Sequence, residues 1–279
     1  MALFHNKVFA IIVALPAEAR PFIRKFGLQK VNGSKPASYR SESVWLIISG
    51  VGRKNAALAG ASLLEYGEPL ALCNVGICGS RDKRWEIGST IYVNKIRNSL
   101  TGETYYPDPL ARHNFPEAGL VTHDEPQGRS SINRWPDLPL VDMEASYICK
   151  EIQSFIPPHR WHFLKVVSDY LQDEKLTANG VERLMKEPCE EISFFIENLC
   201  HVIESEAQFT EMSAGKLERF SAMLHLTITQ KRHLKRLCLH RISTGDKNLK
   251  ILDLFTSLEC TEKAQRNKIF EQICDAVLQ

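Results

Sequence analysis

The sequence has no strong excess of charge of either sign. Its 279 residues include 35 lysines and arginines and 33 aspartates and glutamates, so the formal net charge is only +2. So small a charge gives no global field that would favour nucleic acid or a membrane surface as the main partner. We therefore expect a small soluble ligand, with no membrane among the partners and with nucleic acid as a disfavoured one.

The sequence also lacks a long apolar run. No segment approaches the roughly 20 apolar residues that are needed to span a bilayer. The run from Val8 to Leu15 follows Lys7 and is similar to the start of a secretory signal, but it is short and its charged flank is weak. A buried first strand is the favoured interpretation, and a soluble, cytoplasmic protein is expected.

Metal-binding spacings are missing as well. The eight cysteines form no C-x-x-C pair and no zinc spacing with histidine. Most of them lie in apolar stretches, such as Ala71 to Gly76, where cysteine packs as a small hydrophobic residue. We expect reduced structural thiols, no metal and no organic cofactor.

Apolar runs that are typical of strands alternate with segments of helical periodicity. Strands are predicted at residues 8–15, 38–42, 44–49, 70–75, 89–93, 138–141 and 161–167. Helices are predicted at residues 17–26, 53–66, 144–156 and 187–203. The alternation indicates an α/β domain with a central, largely parallel sheet, in which ligands bind beyond the carboxyl ends of the strands.

The end of the chain has a different pattern. Residues 205–279 show helical periods and no convincing strand, so we predict a helical appendage after a first domain of residues 1–204. Within the appendage, Thr229 to Arg241 combines an apolar face with a basic one. Such a helix can contact nucleic acid, acidic lipid or an acidic partner, but a packed helix with a solvated basic face is more common.

Five short segments carry a combined signal in their order and spacing. They are Ile11–Ala19, Ser49–Ala57, Asn74–Gly79, Val141–Ala145 and Lys165–Asp169. Together they resemble the nucleoside phosphorylase and methylthioadenosine/adenosylhomocysteine nucleosidase superfamily, over residues 7–204. The resemblance implies a phosphorylase/hydrolase-like mixed central sheet flanked by helices, followed by a C-terminal helical extension. It also implies a homodimer or larger assembly.

Asp169 is the leading candidate for the chemistry. It follows the apolar run Phe163 to Val167, at the sheet edge where an α/β site is expected. Cleavage of a purine N-glycosidic bond passes through an oxocarbenium-like sugar and is assisted by a carboxyl group that protonates the leaving base. The resemblance assigns this role to Asp169, with Ser168 beside it in the substrate site. The alternative is a helix N-cap formed by either residue.

Glu18 is the second carboxylate candidate, two residues after Pro16 in the turn that follows the first strand. The resemblance assigns to it the orientation or deprotonation of the attacking water, which requires a carboxylate near the reactive face of the sugar. The alternative is a solvated first-turn glutamate that complements the helix dipole.

Met143 and Glu144 match the family's ribose-binding pair. The resemblance implies that Met143 packs on the ribose and that Glu144 accepts hydrogen bonds from its hydroxyls, since an ionised carboxylate gives strong, oriented hydrogen bonds. The alternative for Glu144 is an ordinary helix-start glutamate. Gly50 and Gly76 are expected to let backbone approach the ligand, although turn geometry alone also favours glycine at strand ends.

Three positions depart from the family pattern. Phosphorylases neutralise phosphate with several arginines and a serine, but Ile77 takes the expected serine position and Lys165 stands where arginine is frequent. Arg53 is a further candidate ligand for an anionic nucleophile. Because the serine and an arginine are replaced, phosphate is a possible but less favoured nucleophile. At the third position, Pro126 takes the place of the aromatic residue that stacks on the base.

The leading hypothesis is hydrolysis of a purine nucleoside or nucleoside thioether by water, with Asp169 as general acid. Two alternatives stay open. One is phosphorolysis of a related nucleoside. The other is a catalytically weak nucleoside-binding or partner-binding protein whose helical appendage carries the biological role.

Overall fold

The structure is a computed structural model that describes residues 8–66, 69–108, 113–127, 135–172, 176–243, 250–255 and 263–278. The chain divides into two compact units, residues 1–200 and 201–279. The roles that the sequence suggested for residues 1–204 and 205–279 stay predictions.

The first unit contains all the described strands. They are β1 (Phe9–Val13), β2 (Gln29–Val31), β3 (Ala37–Arg40), β4 (Val44–Ile48), β5 (Leu72–Ser80), β6 (Thr90–Asn98), β7 (Thr104–Tyr105), β8 (Glu117–Thr122), β9 (Leu140–Asp142) and β10 (Trp161–Asp169). The helices that begin in this unit are α1 (Pro16–Lys25), α2 (Arg53–Tyr66), α3 (Ala145–Ile152), α4 (Ala178–Leu184) and α5 (Lys186–Met223).

The ten strands form one mixed sheet. Strands β4, β1, β5 and β10 are parallel neighbours in that order, so their carboxyl ends share one edge. Strand β10 also pairs with β6, and β6, β8, β9 and β5 pair in turn, which closes these five strands into a ring. Strands β3 and β2 extend the opposite edge. The predicted α/β class with a mixed central sheet and flanking helices is confirmed.

The core explains why the first strand contains no polar residue. Every side chain of β1 is buried, as expected for a central parallel strand that is covered on both faces. Helices α2 and α3 contribute to the same core through side chains such as Ala59, Leu63 and Ile148. Met143 and Glu144, the predicted ribose-binding pair, come directly before α3, so the packing of this helix helps to position them.

Strands β5, β6 and β10 and helix α5 are longer than the sequence indicated. Strand β5 does not end at Gly76 but continues through Gly79 to Ser80. Helix α5 does not end at residue 203 but continues to Met223, because Gly215 fits a helix interior without a break. Strands β2, β7 and β8 and helix α4 were not predicted at all.

The second unit is helical in its described residues. It contains the end of α5 together with α6 (Ile228–Ser243), α7 (Lys250–Asp253) and α8 (Lys263–Leu278). Leu234, Leu237 and Cys238, which form the apolar face of the segment 229–241, are buried in this unit's core. Their burial favours the packed-helix interpretation of that segment. No described helix is both long and apolar enough to span a membrane.

Candidate active site

A cavity of about 380 Å³ lies at the ends of β1, β5, β9 and β10. Its volume is in the range of small-molecule sites. Seven predicted site residues line it. They are Glu18, Ile77, Pro126, Met143, Glu144, Ser168 and Asp169. Four others do not line it: Gly50, Gly76, Lys165 and Arg53. The structure therefore brings the predicted acid, base and ribose-binding residues together, and it locates most of the predicted nucleophile site elsewhere.

Asp169 is the last residue of β10, at an irregularity where it pairs with Gly79 of β5. The Oγ atom of Ser168 lies 2.6 Å from Asp169 Oδ2 and 3.0 Å from the carbonyl oxygen of Cys78. The amide of Leu171 donates to Asp169 Oδ1 at 2.8 Å. Asp169 does not cap the next described helix, because the N-cap of α4 is Thr177. The carboxyl group is instead held at the cavity wall.

Leu171 is a cavity residue that sequence reasoning missed. Its φ of 60° is in the left-handed region, where a branched side chain is strained. Its side chain is buried, packs with Val141 and lies against the backbone of Gly79, where any Cβ atom would collide with it. Nothing in the sequence around Asp169 signals this conformation.

Glu18 is buried near the start of α1, with 1% of its surface exposed. Its Oε2 atom accepts hydrogen bonds from the amides of Ala14 and Leu15, and Oε1 accepts one from the amide of Ile77. Burial raises the pKa of Glu18, and these amide hydrogen bonds oppose the rise. The predicted alternative of a solvated first-turn glutamate is wrong.

The contribution of Gly76 is to make room for Glu18. A Cβ atom at position 76 would lie 3.0 Å from Glu18 Oε1. Gly76 is thus needed for the approach of a carboxylate, and it does not itself line the cavity.

Glu144 lies between β9 and α3, and its Oε1 atom accepts a 2.8 Å hydrogen bond from the amide of Gly52. Gly50 and Gly52 have φ of +86° and +90°, which glycine adopts readily. These two glycines therefore shape the turn that presents the Gly52 amide. Burial first, and then repulsion from Asp142, raise the pKa of Glu144 to about 7.

Lys165 and Asp142 form a buried ion pair at the cavity wall, which Asp142 lines and Lys165 does not. Lys165 Nζ donates to Asp142 Oδ2 at 2.9 Å, and the two side chains are 2% and 1% exposed. Burial lowers the pKa of Lys165, but the attraction of Asp142 and Glu144 outweighs burial and raises it overall. Lys165 is therefore paired with Asp142. Asp142 was missed, although it stands in the Val141–Ala145 segment that the sequence singled out.

Arg53 is a surface residue of α2. Its side chain is 60% exposed, lies 3.9 Å from Asp124 Oδ2 and covers the ring of Tyr147. Among the described residues that line the candidate cavity, none is a lysine or arginine. Five are carboxylates: Glu18, Glu125, Asp142, Glu144 and Asp169. The described residues also contain no cluster of histidine, cysteine and carboxylate groups that could hold a metal ion.

The site thus combines a mixed sheet with several carboxylates at the carboxyl edge of its parallel strands. Residues 8–128 match the family model of the phosphorylase superfamily. The match covers less than half of the chain, and over those residues it agrees with the resemblance found in the sequence. No curated protein sequence matches the chain.

Solved structures of low sequence identity share the fold. A 5'-methylthioadenosine/S-adenosylhomocysteine nucleosidase from Helicobacter pylori superposes with a TM-score of 0.61 at 11% identity, over 70% of this chain and 99% of that one. Futalosine hydrolase of the same organism gives 0.60 at 12% identity, over 69% and 98%. A Neisseria meningitidis nucleosidase in complex with methylthio-immucillin-A gives 0.57 at 17% identity, over 67% and 98%.

Proposed function

We propose that this protein hydrolyses the N-glycosidic bond of a purine nucleoside or nucleoside thioether. The observation that carries the proposal is the convergence of Glu18, Met143, Glu144 and Asp169 on one cavity. The nucleosidases and the futalosine hydrolase that share the fold support the same reaction class.

Asp169 is proposed to protonate the departing base. A serine hydroxyl carries a single proton, and Ser168 has the Cys78 carbonyl as one acceptor. When Ser168 donates to that carbonyl, its oxygen is free to accept a hydrogen bond from a protonated Asp169 Oδ2. The pair can thus hold a proton at the cavity wall until the base nitrogen receives it. Loss of the base leaves Asp169 ionised and the sugar cationic.

Glu144 and Met143 are proposed to hold the ribose. The Gly52 amide occupies Glu144 Oε1, and Oε2 makes no hydrogen bond within the described part of the chain. That oxygen is available to the sugar hydroxyls. An ionised carboxylate there also stabilises positive charge on the ring as the bond breaks.

Glu18 is proposed to receive the proton of the attacking water. Each carboxylate oxygen has two acceptor positions, and Glu18 Oε1 uses one for the Ile77 amide. The other position can accept a water proton, and the raised pKa makes the carboxylate a stronger base. Water gains the sugar bond and loses its proton to Glu18, while the base leaves with the proton from Asp169. Exchange with solvent restores both carboxyl groups.

Water is preferred to phosphate as the nucleophile. A phosphate ion needs cationic ligands, and the described lining supplies carboxylates instead. Lys165 is paired with Asp142, and Arg53 lines another cavity. A homodimer or larger assembly is part of the proposal and comes from the superfamily resemblance. The cytoplasmic location stays a prediction.

The test is release of free base from a nucleoside panel with and without phosphate. The panel contains adenosine, inosine, 5'-methylthioadenosine, S-adenosylhomocysteine and futalosine. We expect phosphate-independent release from at least one compound. Strictly phosphate-dependent release would replace hydrolysis with phosphorolysis. Equilibrium binding of these nucleosides without any base release would favour the catalytically weak binding protein.

A further inference from the structure

The buried ion pair of Lys165 and Asp142 belongs to a network at the start of α3. Asp142 Oδ2 accepts from the amide of Ala145 at 2.9 Å, and Oδ1 accepts from Thr122 Oγ1 at 2.7 Å. Thr122 Oγ1 in turn accepts from the amide of Ser146 at 3.0 Å. Asp142 therefore satisfies a free amide at the first turn of α3 and joins β8, β9 and β10 to that turn.

Glu144 lies inside this network, two residues after Asp142 and directly before α3. Three charged groups influence it: Asp142 from β9, Lys165 from β10 and Glu18 from α1. Asp169 of β10 lines the same cavity. Lys165 is the one cation of this group. A buried charge without a partner is costly, so Lys165 offsets the repulsion that these carboxylates would otherwise exert on one another.

We infer that Lys165 is a positioning residue, which neutralises Asp142 so that Glu144 is both fixed in place and able to ionise in the ribose site. This inference rests on the proposed function for its catalytic consequence. The effect of Lys165 on the ionisation of Glu144 can be measured without any turnover. It also gives Lys165 a different role from the anion ligand that the sequence suggested.

The direct test is the carboxyl titration of Glu144, followed by carbon-13 NMR and assigned by loss of the signal in Glu144→Gln. In Lys165→Met the midpoint should rise by at least about one pH unit, because an adjacent opposite charge changes a carboxyl pKa by about one to three units. Lys165→Arg keeps the charge and should leave the midpoint close to that of the wild type. Lys165→Met combined with Asp142→Asn removes both charges and should reverse the rise.

The double variant also decides the inference if Lys165→Met fails to fold. If Lys165→Met does not fold, the inference requires that the double variant folds, because the unpaired Asp142 is then the cause. A double variant that is worse than Lys165→Met in both folding and titration would overturn the inference. So would a Glu144 midpoint that is the same in Lys165→Met as in the wild type.

Turnover gives a second readout. If the wild type releases base, Lys165→Met should lower kcat/KM at pH 7 by about fivefold, as a one-unit upward change of the midpoint implies. The loss should shrink at higher pH, where Glu144 ionises. A loss of equal size at every pH would indicate a purely structural role. Absence of base release in the wild type would refute the proposed function and leave the titration to decide the inference.

Discussion

At the scale of single residues, the two carboxylates proposed for acid chemistry and sugar binding have different surroundings. Asp169 is half-buried at a strand end, with a serine hydroxyl and a backbone amide as partners. Glu144 is buried and has one amide donor, with Asp142 as a neighbouring negative charge. Differences of this kind allow two carboxyl groups in one cavity to take separate roles.

Asp169→Asn should nearly abolish base release and leave nucleoside affinity largely intact. Asparagine keeps the shape and a hydrogen bond but cannot supply the proton, and general-acid catalysis contributes about 100-fold to 10,000-fold in rate. Single-turnover base release and equilibrium binding measure the two effects separately. Asp275→Asn, at an exposed position of α8, is the matched control. Turnover near the wild-type rate would remove Asp169 from the mechanism.

Glu144 should make stability and activity respond to pH in opposite directions. Its pKa is about 7 in the folded chain, against a usual value of 4.5, so the folded state retains a proton that the unfolded state loses. This contribution to stability is fully present below pH 4.5 and is lost as pH rises through about 7. It amounts to about 3 kcal/mol, at about 1.4 kcal/mol for each pKa unit. Activity should instead rise over this range as the carboxylate ionises.

The measurement is the free energy of unfolding by urea between pH 4.5 and 8, for the wild type and Glu144→Gln. Glutamine cannot titrate, so the difference between the two proteins isolates this residue from Glu18 and other groups. A difference that does not change with pH would contradict the raised pKa.

At the scale of elements, strand β5 carries two glycines that the site requires for different reasons. Gly76 leaves space for Glu18, and Gly79 leaves space for Leu171. Glycine inside a strand often marks a close approach of another group. The sequence pattern indicated that the strand ends at Gly76. Both glycines instead lie inside a strand that continues to Ser80.

Gly76→Ala should impair turnover while the fold persists. The added Cβ atom would lie 3.0 Å from Glu18 Oε1, so the carboxylate must shift by a few tenths of an ångström. We expect a loss of about tenfold in kcat, because small displacements of a positioned group have large effects on rate. Gly215→Ala is the control, since a Cβ atom there meets nothing within 4 Å. It should stabilise α5 by up to about 1 kcal/mol and leave kcat unchanged. Equal rates for wild type and Gly76→Ala would contradict this account.

The buried strands and the main helices could be predicted because their apolar spacing is a local property of the sequence. Strand β1 and helix α2 are examples, and α2 begins and ends at the predicted residues. Strand β8 was missed because its pattern is short and its Gly119 is explained only by the packing of Leu138 against it. The partners of Lys165 were also missed, because ion pairing between β9 and β10 depends on the folded sheet.

At the scale of the whole molecule, one side of the first unit has features that favour a partner. Val51, just before α2, is 45% exposed, and Leu58, in the second turn of that helix, is 55% exposed. Leu58 borders a cavity that Ala57, Ala61 and Tyr147 line together with charged residues, and Val51 lines the candidate active site. Large exposed apolar side chains can mark an interaction surface. A second copy of the chain bound here would lie at the rim of the cavity.

We therefore predict that the protein is a homodimer and that Leu58→Arg weakens it. A long charged side chain in the interface must be desolvated, which costs several kcal/mol and should shift sedimentation from twice the monomer mass toward the monomer. Base release should fall with the dimer fraction, because the partner would cover Val51 beside the substrate. Leu254→Arg places the same charge on a leucine that is 71% exposed in the second unit, and it should change neither property. A wild-type protein that sediments as a fully active monomer would exclude the dimer. A Leu58→Arg dimer of unchanged stability would exclude this surface as the interface.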